Sequence, residues 1–374
     1  MRPPLIARNA AVLLVSVLSV ACVNRPRVSL DTRAPTAAEA KAGMDSFVRG
    51  RAAGAVNVLA LSGGGQNGAF GAGVLRGWRD AGRPRFDVVT GISTGALQAS
   101  HAFIDTPEAD AELERVLTGV RQHDIFCVRP VPSIPFETSV ADFAPLARLL
   151  GRVLDDATID RVAAASEGGR RLLLVGTANL DSGRMAVWDL GAIARRRDYA
   201  TYRAILLAAA SPPVAAEPVS LGGELHADGT LLGNVFVPDT EAREEAKGAV
   251  EGPEGAGIGV ARRRYYVVYN SLLDPGPEHV ELGLLGIASR SLGLLTTTAG
   301  HGSLWYLYGV AHKRGHEFRY VRIPERLRRE ADDPLAFDPA RMRALYDAGV
   351  LAGRDPASWG TEPPPMMQDD GGPR

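Results

Sequence analysis

The chain has 374 residues with 42 basic and 43 acidic side chains, a formal charge of −1. That balance excludes a protein that grips nucleic acid or anionic lipid through bulk charge. Hydrophobic residues at 45% and charged residues at 23% are globular values and exclude wholesale disorder, while two cysteines, Cys22 and Cys127, exclude a disulfide scaffold or a thiolate metal site.

Residues 1–21 read as a signal peptide. Arg2 and Arg8 form a positive start, and Ala10 to Ala21 is an apolar run too short to span a bilayer but suited to a signal-peptide core. The run ends in LSVAC, with Ala21 directly before Cys22, and resembles a bacterial lipobox in which the cysteine becomes the lipidated N-terminus. The departure is Ser19, where a leucine is usual; Leu18 lies one residue further back. Acylated Cys22 implies an envelope lipoprotein held in the membrane by its lipid, with the outer membrane facing the periplasm as the expected site. Ordinary signal cleavage would instead give a soluble periplasmic or secreted protein.

Residues 22–54 are expected to be a tether, from Asn24 to about Pro35, followed by a short helix from Ala37. Val56 to Gly65 reads as a buried strand running into a glycine turn, and Asn67 to Gly82 as a helix with small residues on one side. Phe86 to Gly95 repeats the strand and glycine turn, and GALQASHAFI continues as a helix. Strand, helix, strand, helix with short links predicts a parallel βαβ unit and an α/β domain. Further strands are predicted at Arg171–Leu180, Met185–Leu190 and Arg262–Ser271. Further helices are predicted near 144–154, 202–210, 286–298, 303–312 and 339–349, the last started by Asp338-Pro339. Asp239 to Gly259 reads as a surface loop. The domain is placed at 55–325, a C-terminal helix at 326–354 and a disordered tail at 355–374.

Three stretches carry chemistry. GISTG, Gly91 to Gly95, stands between a strand and a helix and fits a nucleophile elbow centred on Ser93, with Gly91 and Gly95 leaving room for the tight turn. SGGGQNG, Ser62 to Gly68, also fits the G-x-G-x-x-G fingerprint of dinucleotide sites. That reading fails for want of an acid at the end of the next strand, where Asp87 stands at the strand's beginning, so no nucleotide or other cofactor is expected. The run reads instead as an oxyanion hole, with Gly63, Gly64 and Gly65 offering N–H groups at a helix start that Gly68 opens. The third stretch is DGT, Asp228 to Thr230, in which Gly229 permits close approach. The base is either a histidine oriented by an acid or a carboxylate made basic by burial. Of seven histidines, only His226 lies in a suitable strand-end segment, two residues before Asp228.

Together these stretches resemble the patatin-like phospholipase family: a glycine run, the GxSxG elbow 28 residues after Gly65, and the Asp-Gly motif well downstream. Thr177 to Ile193 and Ala208 to Val219 are also similar to that family. The likeness covers Val56 to Asp239, a motif core of 56–239, and extends to about Pro324. It implies a three-layer α/β/α fold with a mainly parallel sheet, and a Ser–Asp dyad without histidine acting on acyl esters of lipids. Ser93 is then the nucleophile, Asp228 the base, and Gly63, Gly64 and Gly65 surround the oxyanion; no metal is required. The family often has Arg or Lys where this chain has Asn67, and Gly or Ala where it has Thr230. The competing function is a catalytically retired envelope lipoprotein that binds acyl chains or partners on a hydrolase scaffold.

Other features have plainer readings. LWYLY, Leu304 to Tyr308, is expected in a helix core, Arg262 to Arg264 at a solvated strand entry, Asn179 and Asp181 in a strand-end turn, and Cys127 in the core.

Overall fold

The computed structural model describes residues 29–30, 32, 37–49, 55–238, 262–274, 276–280 and 282–365. The signal segment, Cys22 and the 239–259 loop lie outside them. Nine strands form one sheet: β1 (Ser29–Leu30), β2 (Val56–Leu61), β3 (Val88–Gly91), β4 (Leu172–Asn179), β5 (Arg184–Asp189), β6 (Val219–Leu221), β7 (Glu224–Asp228), β8 (Arg263–Tyr269) and β9 (Glu317–Arg322). The order across it is β1-β6-β7-β4-β3-β2-β8-β9, with β5 paired to β4. The pairs β9-β8, β8-β2, β2-β3 and β3-β4 are parallel, while β5 and β7 run antiparallel to β4. The central strands are near-continuous apolar runs because both faces are covered, as parallel sheets require.

On one face lie α2 (Gly68–Asp80), α3 (Thr94–Ile104), α4 (Pro107–Gly119), α5 (Ala144–Val153), α6 (Asp156–Ala165), α7 (Leu190–Arg195), α8 (Tyr199–Ala209) and α10 (Pro339–Arg354). On the other lie α1 (Ala37–Arg49), α9 (Leu284–Lys313) and the segment around Val235. This is the expected α/β/α layering, with a mixed, mostly parallel sheet.

The small residues of α2 have a structural reason. A Cβ on Gly73 would stand 2.0 Å from the carbonyl oxygen of Tyr346 in α10, so the two backbones are in direct contact. Residues 339–354 are therefore part of the domain's core, and not an appendage.

Several expectations need correction. The helices expected at 286–298 and 303–312 are one 30-residue helix, α9; Gly300 in the gap is where it touches Tyr269 and Asn234. Ser29–Leu30, expected in the tether, pairs in parallel with Ser220–Leu221 as an edge strand. Residues 355–365, expected in the disordered tail, are ordered: Trp359 packs on Trp78 with ring centroids 4.4 Å apart, and the Pro364 carbonyl accepts from Trp305 Nε1 at 2.9 Å. Cys127 is exposed rather than buried, because it sits in a two-residue ribbon paired with Ala141–Asp142 at the surface. Arg262 is solvated, but strand alternation puts Arg263 on the buried face of Tyr265 and Val267, where only 2% of it is exposed. In LWYLY, Leu304 and Leu307 are core residues, whereas Tyr306 is 62% exposed.

Candidate active site

The sheet brings Ser93 and Asp228 together through one edge of β4. β3 runs up that edge, pairing Gly91 with Val175, and stops. β7 comes down the same edge from the opposite direction, pairing Asp228 with Thr177 two residues further on. The two strand ends thus meet nearly head to head, and at the meeting point lie the elbow and the acid.

Ser93 caps the N-terminus of α3 with φ 54° and ψ −127°. A serine rarely adopts positive φ, and such strain persists only where the surroundings enforce it. Here Gly91 and Gly95 close the turn on each other, and Gly95 lies against the Leu61 carbonyl. Gly63 is pressed onto the serine: a Cβ there would stand 2.7 Å from Ser93 Cβ. Gly68 faces Thr94 and gives its carbonyl to Gln98 Nε2 at 2.7 Å, which ties the glycine loop to α3. Gly229 lies over the Gly176 carbonyl and Ile92.

The Ser93 hydroxyl lies beside the Asp228 carboxyl and favours its ionised form. Asp228 Oδ1 accepts from the Thr230 backbone N–H at 2.9 Å and from the Thr230 hydroxyl. Burial pushes this carboxyl above the usual carboxylate range, while these three groups oppose that shift by favouring the ionised form. A carboxylate so placed is more basic than one in water and lies beside the hydroxyl it would deprotonate.

His226 is buried on the same strand, but its Nδ1 pairs with Thr177 Oγ1 at 2.9 Å and its ring lies edge-on to Trp188. Burial lowers its pKa and keeps the imidazole neutral. All seven histidines are among the described residues, and none has a hydrogen bond to Ser93 or Asp228. Asn179 Oδ1 accepts from the N–H groups of Asp181 and Ser182, so these residues form the strand-end turn and do not reach the elbow.

The three glycines divide their tasks. The Gly63 N–H donates to Asn234 Oδ1 at 2.7 Å, while the Gly64 and Gly65 N–H groups make no hydrogen bond among the described residues. Gly63's carbonyl accepts from Ser62 Oγ and Ser271 Oγ, and Asn270 Nδ2 donates to the Ser62 carbonyl at 2.8 Å. Asn67, the position without the family's positive charge, is buried and donates through Nδ2 to the Ala331 carbonyl at 2.9 Å. With Gln66, which donates through Nε2 to the Asp333 carbonyl at 2.6 Å, it straps residues 331–334 beside the loop. Asn234 and Asn270 were not legible as site residues: each lies more than 150 positions from Gly63, and no local motif marks either one.

A cavity of about 450 Å³ lies on the α9 face of the sheet, walled by Leu232, Val235, Phe236, Tyr306, Leu307 and Val310. Its wall residues Leu232 and Gly233 immediately precede Asn234, which holds Gly63.

The family model described as Patatin-like phospholipase matches residues 59–240, which include the glycine loop, the elbow and the Asp-Gly motif. This region of the chain belongs to the patatin-like phospholipase family, a family of lipid acyl hydrolases. Among solved structures the chain is similar to VipD from Legionella pneumophila, at 12% identity over 80% of this chain and 68% of that chain, with a TM-score of 0.36. No curated protein sequence matches the chain.

Proposed function

We propose that the protein is a serine acyl-hydrolase that cleaves carboxylic esters of lipids, of the phospholipase A or lysophospholipase type, through a Ser93–Asp228 dyad. The observation that carries this reading is the meeting of the elbow serine and a buried carboxylate at one sheet edge, with no histidine bonded to either group. Ser93 Oγ attacks the ester carbonyl as Asp228 takes its proton. The Gly64 and Gly65 N–H groups, which have no other partner among the described residues, receive the developing oxyanion. Gly63, whose N–H is committed to Asn234, shapes the hole without donating to it. The alcohol leaves with the proton from Asp228, and water then attacks the acyl-enzyme with Asp228 as base again. The cavity on the α9 face, apolar but for Arg263 and Ser303 in its wall, suits an acyl chain. Held by an acylated Cys22, the enzyme would act at the outer membrane from its periplasmic side.

The test is an ester panel with purified protein, run with wild type and Ser93→Ala and paired with a fluorophosphonate probe. The expected result is labelling of the wild type alone and a loss of about a thousandfold or more in kcat/KM for the variant. Labelling at another serine, with activity kept in Ser93→Ala, would falsify the elbow assignment.

A further inference from the structure

α9 passes through two different environments. From Gly300 onward it lies on the sheet: Leu304 and Ala311 are fully buried, and Ser303 Oγ accepts the Asn234 N–H at 3.1 Å. It connects two parallel neighbours, β8 and β9, so it runs antiparallel to both and begins at the sheet edge where β8 ends beside Ser62. Gly300 is level with that edge, against the Tyr269 hydroxyl and Asn234. The preceding residues, Leu284 to Ala299, therefore project past the catalytic edge by roughly 24 Å at the rise of an α-helix.

That projecting half is apolar and, among the described residues, uncovered. Ile287 is 51% exposed, Leu294 40%, Leu295 68%, and Leu282 just ahead of the helix 99%. A single exposed leucine is ordinary. Here the only charged side chain from Leu282 to Ala299 is Arg290, and it is tied to Glu278 at 2.7 Å and to the Gly276 carbonyl at 2.6 Å. A helix with so little charge is normally buried in protein or lipid. Among the described residues no helix is long and apolar enough to cross a membrane.

We propose that the first half of α9, with Leu282, is a lipid-docking surface that inserts Ile287, Leu294 and Leu295 among acyl chains beside the catalytic edge. The proposal rests on the lipid-hydrolase reading: a lipid ester must leave its layer to reach Ser93, and this half-helix stands at the edge where Ser93 opens. The nearby acids Glu278 and Asp274 are paired with Arg290 and Arg328 and offer no attraction to anionic headgroups. The attraction is therefore apolar, so zwitterionic lipid suffices and salt has little effect.

The experiment uses the full chain with Cys127→Ser, carrying Leu295→Cys labelled with an environment-sensitive dye; the same chain without Leu295→Cys supplies the background. Phosphatidylcholine vesicles are added at low and high salt. The expected result is a blue shift at both salt concentrations, with quenching by brominated lipid, which tethering through Cys22 alone does not produce. Emission that stays water-like on vesicles overturns the proposal. A blue shift without vesicles also overturns it: if it grows with protein concentration a second copy covers the face, and if it does not, another segment of this chain does. In a second arm, Ile287→Ser with Leu294→Ser and Leu295→Ser should lose about tenfold or more in hydrolysis of a vesicle-borne ester while keeping the wild-type rate on a monomeric ester. Equal losses on both esters contradict docking. A wild type that hydrolyses neither ester overturns the hydrolase reading, and the dye result then decides the docking surface by itself.

Discussion

At the residue scale, the most informative side chain after Ser93 and Asp228 is Thr230. Sequence comparison by motif marks it only as a departure, yet the structure gives it a contact that glycine or alanine lacks, a hydroxyl donated to Asp228 Oδ1. Because that donor favours the ionised carboxylate, its removal raises the Asp228 pKa further in the direction burial has already taken it. A general base works only when ionised, so the acidic limb of kcat/KM against pH should move to higher pH in Thr230→Val, which keeps the backbone N–H and most of the volume. Rates measured from pH 4 to 8 check this. An unmoved limb with an unchanged plateau means that the hydroxyl does not tune the base. Asn67 is the complementary case: in place of a positive charge stands a neutral strap to Ala331, so the glycine loop is held by a hydrogen bond to the C-terminal segment.

At the element scale, the contact between α2 and α10 fixes the helix that follows the glycine loop, and with it the direction of the Gly64 and Gly65 N–H groups. Gly349→Leu forces a side chain into the space occupied by the Phe70 carbonyl, 2.1 Å from where its Cβ would stand. The expected outcome is a destabilisation of about 1–3 kcal/mol or more in denaturant unfolding, with activity lost in step with folding. An unchanged midpoint would show that the helices have room to part. The first two strands, their glycine turns and the helices after them were legible because apolar runs, turn residues and small-residue stripes are local signals. β6 and β9 were not marked as strands, being short or alternating with charge, as in EFRYVR of β9, and of β7 only the end around His226 and Asp228 was. Nor does any sequence period say that β7 enters antiparallel on the edge that β3 leaves; that pairing is a long-range choice, and it is what brings Asp228 to Ser93. The carboxylate and the serine were thus legible as residue types in the right order. Their supports Asn234, Asn270 and Ser271 were not, because they come from distant segments and touch the loop only after folding.

At the scale of the whole molecule, the projecting half of α9 adjoins the sheet edge that carries Ser93, while the cavity lies along the half of α9 that covers the sheet. An anchor at Cys22 would restrict the chain to a membrane, and the helix would set which way the edge faces. On the lipoprotein proposal, Cys22→Ala lowers the share of the protein held on membranes, leaving only what the apolar surface of α9 retains. Full retention of the variant on membranes would mean that the folded domain, and not an acyl chain, holds it there. The dyad itself is tested most directly by kcat/KM on one monomeric ester for Asp228→Asn and for each of the seven His→Ala variants, with folding checked by circular dichroism. The dyad predicts that Asp228→Asn is as inactive as Ser93→Ala, that His226→Ala keeps activity within about tenfold, and that the other six histidine variants do the same. A folded histidine variant as inactive as Ser93→Ala would contradict it.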